Sequence, residues 1–598
     1  MAFIENRKLK GNYYLYECEG TTNKEGEPRK KTIQYIGRTD TVCKNDISEP
    51  YSIRSWGDAQ VLLSLIEEID LVMIVNEIIP KGGGVDPGNL LSILAMNRLL
   101  DPCAKSKVSR WYKRVDLESV LRVKASKLNA QNLCAFLDYL TDERVEKIER
   151  AITEKLVQNY QIDTGHVIYD ITSVYTHGSI DGLSKHGHSR DHRPDLEQVN
   201  IGLAVTRSHF MPIMHNVFEG NVPDVSSLPS TARTLESRRG EDDRITLVHD
   251  RGFLSADNVR LLDSMKFDFV CGATKTNVIM DVIRKAKTAG LTEIGEGLSV
   301  HDSVEEVYGK ERRVLVLHRT SKEAQDKETR ARQIGDAVEE LDELRSSVEK
   351  RCKEHDVLVV AIHKATDGVR KYFDIEIDDL PASNIISVER KENVDVDGRK
   401  LTWIEKRWRK VLPGLESSDL SNREIRSEIR EFFGDLRKYY DVGIERTKAR
   451  STFRYAINEN EIGKAERFDG YFVLMSSNLE HSMNDIIELY DAKDGVEKSF
   501  CTIKHPIRIN PIRHWNPQRV RGHIFVCVIA YLLYSVMRYR LRTAGSEKSV
   551  DDVLSDLGDV KRVKQVIMKG EKYKIIDSIS MVPKETGKFL EIFDIRLR

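Results

Sequence analysis

Tyr490, Lys493, Glu497 and Lys504 follow one another at steps of three, four and seven within YDAKDGVEKSFCTIK. At about 100° per helical residue they fall within an arc of about 60° on one helix face. An aromatic ring, two cations and a carboxylate on one face make either a solvated ion-pair surface or one wall of a site for a metal and a phosphate. Two further carboxylates bear on the choice. Asp170 closes the apolar run VIYD and Asp250 closes TLVHD, each where a strand should emerge, and strand ends of open sheets are where sites form. Asp170, Asp250 and Glu497 together would offer three hard oxygen ligands, suited to Mg²⁺ or Mn²⁺. Two such ions about 4 Å apart can activate an attacking oxygen and stabilise a leaving one in phosphodiester chemistry. Taken singly, each Asp could be a turn former or helix cap, and Glu497 the i+4 partner of Lys493. The conjunction of the right residue types on the right elements favours the site.

The elements that must position these groups follow from hydrophobic period. HVIYDITSVYTHG is a β-branched run, and VNIGLAVTRSH and FMPIMHNVFEGN read as two more strands. SSLPSTARTLESRR reads as a helix, ITLVHDRG as a buried strand, SADNVRLLDSMK as a helix opened by a Ser cap, and FDFVCGAT as a strand. The order is β-β-β-α-β-α-β, with the three leading strands antiparallel. A final strand, DGYFVLMSS, precedes the Glu497 helix.

Elsewhere the chain changes texture. NYYLYECEG and KKTIQYIGR alternate as small strands with a basic face. DAQVLLSLIEEIDLVMIVNEII, LLSILAMNRLLD and NLCAFLDYLTDERVEKIERAITEKLVQNY have helical apolar spacing. Between Asp250 and Glu497, VLVVAIH, KYFDIEI, NIISVERK and DVDGRKLTWIEKRW look like strands, the last with an Asp-Gly turn. IGDAVEELDELRSSV and NREIRSEIREFFGDLRKYY look helical.

At 598 residues the chain exceeds a single hydrophobic core, with about four units as the prior. The net charge of −1 lacks the usual basic footprint of a nucleic-acid protein, yet EPRKKTIQYIGR, EKRWRK and HPIRINPIRHWNPQRVRGH are locally basic. A segregated basic channel balanced by acidic helices is expected. The eight cysteines form no C-x-x-C pair, which disfavours a zinc site or disulfide scaffold and suits a reducing cytoplasm. IFVCVIAYLLYSVM is short for a membrane span and reads as a buried core helix. KGGGVDPG lacks the Gly-Lys-Ser/Thr of a P-loop.

At the acidic residues the sequence resembles DDE transposases of the fourth insertion-sequence family. That family carries a Tyr-x2-Arg-x3-Glu-x6-Lys signature, here Tyr490, Lys493, Glu497 and Lys504. Lys493 stands where the family has Arg, keeping the charge but losing the planar fork. DRGF, with Asp250, and YDITSVY, with Asp170, match the blocks of the other two catalytic acids, and HSRDHRPDLEQ, EGNVPD and NPIRHWNPQRVRGHIF also resemble family blocks.

The resemblance implies an α/β ribonuclease-H-like catalytic core, a mixed sheet flanked by helices, interrupted by a mostly β insertion domain. An N-terminal β unit and a helical domain precede it. The expected boundaries are 1–55 (basic β unit), 56–160 (helical domain), 161–277 and 463–540 (the two parts of the core), 278–462 (insertion) and 541–598 (a tail that could serve dimerisation). Asp170, Asp250 and Glu497 would hold two Mg²⁺ or Mn²⁺ ions, and Tyr490, Lys493 and Lys504 would contact DNA phosphates. Arg190, His192 and Arg193 either contact DNA beside the site or form a solvated loop; as a zinc site His186, His188 and His192 lack a fourth ligand. The N-terminal units either recognise element ends or present solvated charge, and Trp403 and Trp408 either stack on an unpaired base or pack as ordinary tryptophans. The expected activity is binding of terminal inverted repeats, hydrolysis at each end, and joining of the freed 3′-hydroxyls to target DNA. The protein would act as a homodimer on DNA, in a prokaryotic cytoplasm at the nucleoid, with no membrane partner. A metal-dependent nuclease without strand transfer, or an inactive DNA-binding descendant, are the alternatives.

Overall fold

A computed structural model describes residues 2–23, 27–42, 51–81, 84–238, 244–265, 267–350, 372–390, 440–457, 459–569 and 572–597. The chain divides into two compact units, Met1–Cys271 with Asn484–Arg598, and Gly272–Met483.

The first unit opens with an antiparallel sheet of β1 (Ala2–Leu9), β2 (Asn12–Thr22) and β3 (Pro28–Arg38). The helices of eight or more residues that follow are α1 (Gly57–Glu68), α2 (Leu71–Ile78), α3 (Pro87–Leu100), α4 (Lys105–Tyr112), α5 (Ala130–Asp138) and α6 (Asp142–Tyr160). Two stretches expected as single helices are each broken. Asp70 adopts a left-handed backbone with φ 52° and separates α1 from α2; a short polar side chain tolerates that conformation. Thr141 accepts a hydrogen bond from the Arg144 N–H, capping α6 and ending its continuity with α5.

The core comes next in the expected order: β4 (His166–Tyr175), β5 (Gln198–Thr206), β6 (Pro212–Glu219), α7 (Asp224–Arg238), β7 (Thr246–His249), α8 (Ala256–Ser264) and β8 (Asp268–Gly272). Ser255 caps α8 by accepting from the Asn258 N–H. The strands lie in the order β8-β7-β4-β5-β6. The β8–β7 and β7–β4 pairs are parallel, and the β4–β5 and β5–β6 pairs antiparallel. β5 and β7 are buried at every position, the pattern of strands covered on both faces. This is a mixed sheet flanked by helices.

Three helices complete the core: α9 (Met483–Asp491), α10 (Lys493–Lys504) and α11 (Pro517–Thr543). Asn516 caps α11 through the N–H groups of Gln518 and Arg519, and Pro517 opens its first turn. At 27 residues α11 is longer than its apolar run, and by length and composition alone it could cross a membrane. Instead 89% of its most apolar stretch is buried, packed on α3, α5 and β6. The C-terminal residues fold back: strands Lys561–Lys569 and Lys572–Ile579 make an antiparallel sheet with Ser52–Ser55.

In the second unit, strands Thr292–Gly295, Leu298–Val307, Lys310–Arg319 and Tyr471–Ser476 pair antiparallel. The first three were not anticipated. Glu293 to Glu311 are charge-rich, and the apolar residues of Leu298–Val307 alternate only weakly. FDIEI of the first expected strand and NIISVER of the second lie in one 18-residue strand, Phe373–Arg390, paired with Tyr440–Ile457. IGDAVEELDELRSSV belongs to a 31-residue helix, Thr320–Lys350, in which Ile334 and Val338 are buried. The expected elements VLVVAIH, DVDGRKLTWIEKRW and most of NREIRSEIREFFGDLRKYY, with Trp403 and Trp408, lie outside the described residues.

Candidate active site

Asp170 and Asp250 arrive side by side because β4 and β7 are parallel neighbours. Tyr169 pairs with His249, so the next residue of each chain segment is an aspartate. Asp170 does not end its strand as expected. β4 runs on to Tyr175, since its second half keeps pairing with β5 after its pairing with β7 has stopped. Asp250 does leave its strand. It caps the short 3₁₀ turn Arg251–Phe253, its Oδ1 accepting from the Arg251 N–H at 2.8 Å.

The helical wall is two helices rather than one. Tyr490 lies on α9, while Lys493, Glu497 and Lys504 lie on α10, with Ala492 at the junction. There the Gly495 N–H bonds the Ala492 carbonyl, a tighter turn than an α-helical one. Gly495 also lets α10 approach Phe210: a Cβ there would meet the ring at 1.9 Å. The Tyr490 hydroxyl donates to Asp250 Oδ1 at 3.1 Å. Lys493 Nζ stands 3.2 Å from Glu497 Oε1 and 3.7 Å from Asp250 Oδ1. Glu497 is largely exposed, its side chain at 56%.

The electrostatics follow from these distances. Burial pushes the Asp170 carboxyl up to about 6, against the opposing pull of Arg190. Burial also pushes Asp250 up, but Lys493, the Arg251 N–H and Tyr490 outweigh it and hold that carboxyl below its usual range. Burial opposes the charge on Lys493, while Asp250, Glu497 and Asp170 restore it and raise its pKa. Burial, then the neighbouring Asp250, raises Tyr490, so its phenol keeps the proton it donates. Among the described residues no three His, Cys, Asp or Glu side chains form a metal-ligand cluster. Asp250 and Glu497 flank the Lys493 ammonium instead, because carboxylates repel one another and a cation between them relieves that repulsion.

Across the sheet end, Arg190 NH2 is 2.9 Å from Asp224 Oδ2 and its NH1 is 3.9 Å from Asp170 Oδ1. The Arg190 backbone N–H donates to Ser173 Oγ on β4 at 2.8 Å. Lys504 turns to the same loop, donating to Asp191 Oδ1 at 2.6 Å.

Residues 162–533, more than half of the chain, match the family model of the transposase DDE domain. The chain belongs to this family. Among curated proteins no relative matches it. Among solved structures it is similar to a cryo-EM structure of the piggyBac transposase synaptic complex with hairpin DNA, at a TM-score of 0.37 and 9% identity over 84% of this chain and 79% of that one.

DDE transposases generally use divalent metal ions. The donor set fits such a group. Asp170, Asp250 and Glu497 are hard oxygen donors, and a cationic side chain already sits between two of them. The structure brings Asp170, Asp250, Glu497, Tyr490, Lys493 and Arg190 of this transposase together. It turns the Lys504 ammonium to Asp191. Arg193 is bonded to Asp195 at 2.8 and 2.9 Å and lies over the Tyr175 ring. His192 is exposed on a left-handed backbone with φ 55°. Sequence reasoning missed Asp224 and Asp191, the partners that hold Arg190 and Lys504. Asp224 opens α7 inside EGNVPD, and its place as a first-turn acid was the one local signal.

Proposed function

We propose that this transposase binds the terminal inverted repeats of its own element and cuts a phosphodiester at each end. The freed 3′-hydroxyls are then joined to target DNA. The observation that carries the reading is the pairing of Asp170 and Asp250 on adjacent parallel strands, with Glu497 reaching the same place from α10. These three residues would hold the divalent ions, which when bound supply the Lewis acidity that phosphodiester chemistry requires. Water adds to phosphorus, the P–O3′ bond breaks, and the proton goes to the departing 3′-oxygen. In joining, that 3′-oxygen attacks a target phosphodiester and displaces another 3′-oxygen, one bond forming as one breaks. Lys493 and Arg190 position phosphate oxygens by charge, and the Tyr490 hydroxyl orients the Asp250 carboxylate. Bringing two ends together calls for a homodimer on DNA, working on the nucleoid in a prokaryotic cytoplasm.

The test is cleavage and joining of duplexes that carry the native flanks, with Mg²⁺ or Mn²⁺. Glu497→Gln and Asp170→Asn should each slow cutting at the element boundary by at least about a hundred-fold, the loss of several kcal/mol of transition-state stabilisation. Wild-type rates in either variant would overturn the site. Cutting without transfer to a second duplex would reduce the protein to a nuclease.

A further inference from the structure

A cation-rich cleft lies in the same unit, between α3–α4 and the segment joining α10 to α11. A cavity of about 1150 Å³ opens there, larger than the ~300–1,000 Å³ usual for small-molecule sites. Its lining includes eight Lys or Arg side chains and a single carboxylate, Asp101. Arg114 takes that carboxylate at 2.5 Å, and Arg519 takes Asp138 at 2.8 Å. Lys107, Arg110, Arg508 and Arg513 are exposed and have no carboxylate partner among the described residues. Cations gathered without counter-charges repel one another, a cost an incoming anion relieves.

The same cavity displays an aromatic surface. Trp515 is 65% exposed. Its ring lies against Gly178, where a Cβ would come within 1.9 Å, so the glycine backbone forms the bed on which the indole rests. Gly178 follows β4, and Thr176 bridges to Ile512. The cavity wall is therefore tied to the strand that carries Asp170.

We infer that this cleft binds an unpaired stretch of DNA, its phosphates on Lys107, Arg110, Arg508 and Arg513 and one base stacked on Trp515. A base within a duplex has no free face to offer an indole, whereas an unpaired base does, and stacking is indifferent to sequence. The choice of DNA over another polyanion rests on the proposed activity; the cleft itself supplies only cations and a ring.

The experiment is fluorescence anisotropy with a labelled 12-nucleotide oligothymidylate and the matching duplex, over a series of salt concentrations. The proteins compared are wild type, Lys107→Ala/Arg110→Ala/Arg513→Ala, Trp515→Ala, Trp515→Phe, and a control, Lys147→Ala/Arg233→Ala/Arg260→Ala, whose residues lie outside the cleft. The cleft triple variant should lower the salt slope for the oligothymidylate by about 2, from about 0.7 per lost phosphate contact. Trp515→Ala should weaken binding about ten-fold and Trp515→Phe should restore most of it. The control should bind as wild type does, and melting temperatures should show every variant folded. Equal loss in the control and cleft variants, or unchanged oligothymidylate binding in the cleft variants, would overturn the inference. So would duplex binding that falls as much as single-strand binding. The proposed activity is scored separately on end duplexes, wild type against Glu497→Gln, so cutting by the wild type that Glu497→Gln loses leaves that reading intact even where the cleft fails.

Discussion

Lys493 concentrates the electrostatics of the carboxylate site. Its ammonium touches Glu497 and Asp250 and is felt by Asp170, which are the groups a divalent ion would need. Ammonium and metal therefore compete. Lys493→Ala should bind Mn²⁺ two- to five-fold more tightly than wild type in calorimetric titration. That range follows from about 0.4–1 kcal/mol for a pair whose acidic partner is largely exposed and screened. An unchanged or weaker affinity would show that the ammonium supports the metal-binding geometry rather than opposing it. The acidic residues were legible in the sequence because each stands where an apolar run stops or a helix face turns polar, which is local information. Asp191 and Asp224 were not. Their roles come from pairing with Lys504, 313 positions away, and Arg190, 34 positions away, and no local period encodes such a partner.

The order of core elements was legible, and the helix breaks were not. Hydrophobic period runs through Asp70 and Thr141 without interruption, so a left-handed backbone or a cap must be weighed against it. The signature helix was likewise read as continuous across Ala492, since a single tightened turn leaves the spacing of side chains almost intact. α11 shows what the sequence does convey: a long apolar helix that must be buried. Its polar members then need partners. His523, wholly buried, accepts from the Lys105 ammonium at Nδ1 (3.0 Å) and donates from Nε2 to the Ile509 carbonyl (3.1 Å), which fixes it as the neutral tautomer. Burial, with Lys105 and Arg98 nearby, lowers its pKa well below the ordinary value. A depressed folded pKa means stability present above the unfolded value near 6.5 and lost as pH falls towards the folded one. From pH 6.5 to 5 the wild type should lose about 1–2 kcal/mol more stability in all than His523→Gln, whose amide can make both hydrogen bonds without titrating. Thermal melts across that range measure it; parallel pH profiles would mean that His523 charges in the fold.

At the scale of the whole molecule, a net charge of −1 coexists with a cavity lined by eight cations and one carboxylate. Charge is segregated rather than scarce, and bulk composition hid it, whereas the basic stretch HPIRINPIRHWNPQRVRGH supplies several residues of that cavity. The division into two units has a parallel consequence. Asp170, Asp250 and Glu497 are separated by 79 and 246 intervening residues, yet all three belong to the unit formed by the two ends of the chain. A divalent ion held by them should be felt there first. Binding to the native state alone stabilises it by about 2.7 kcal/mol at a hundred-fold excess over the dissociation constant, and the segments that hold the ion open less often. In hydrogen-exchange mass spectrometry, saturating Mn²⁺ should slow exchange in 166–175, 246–253 and 490–504, and leave the strands at 292–319 unchanged. Asp170→Asn and Glu497→Gln should abolish that protection. Slowing confined to 292–319, or protection that persists in both variants, would place the ion on other residues and take the three carboxylates out of the chemistry.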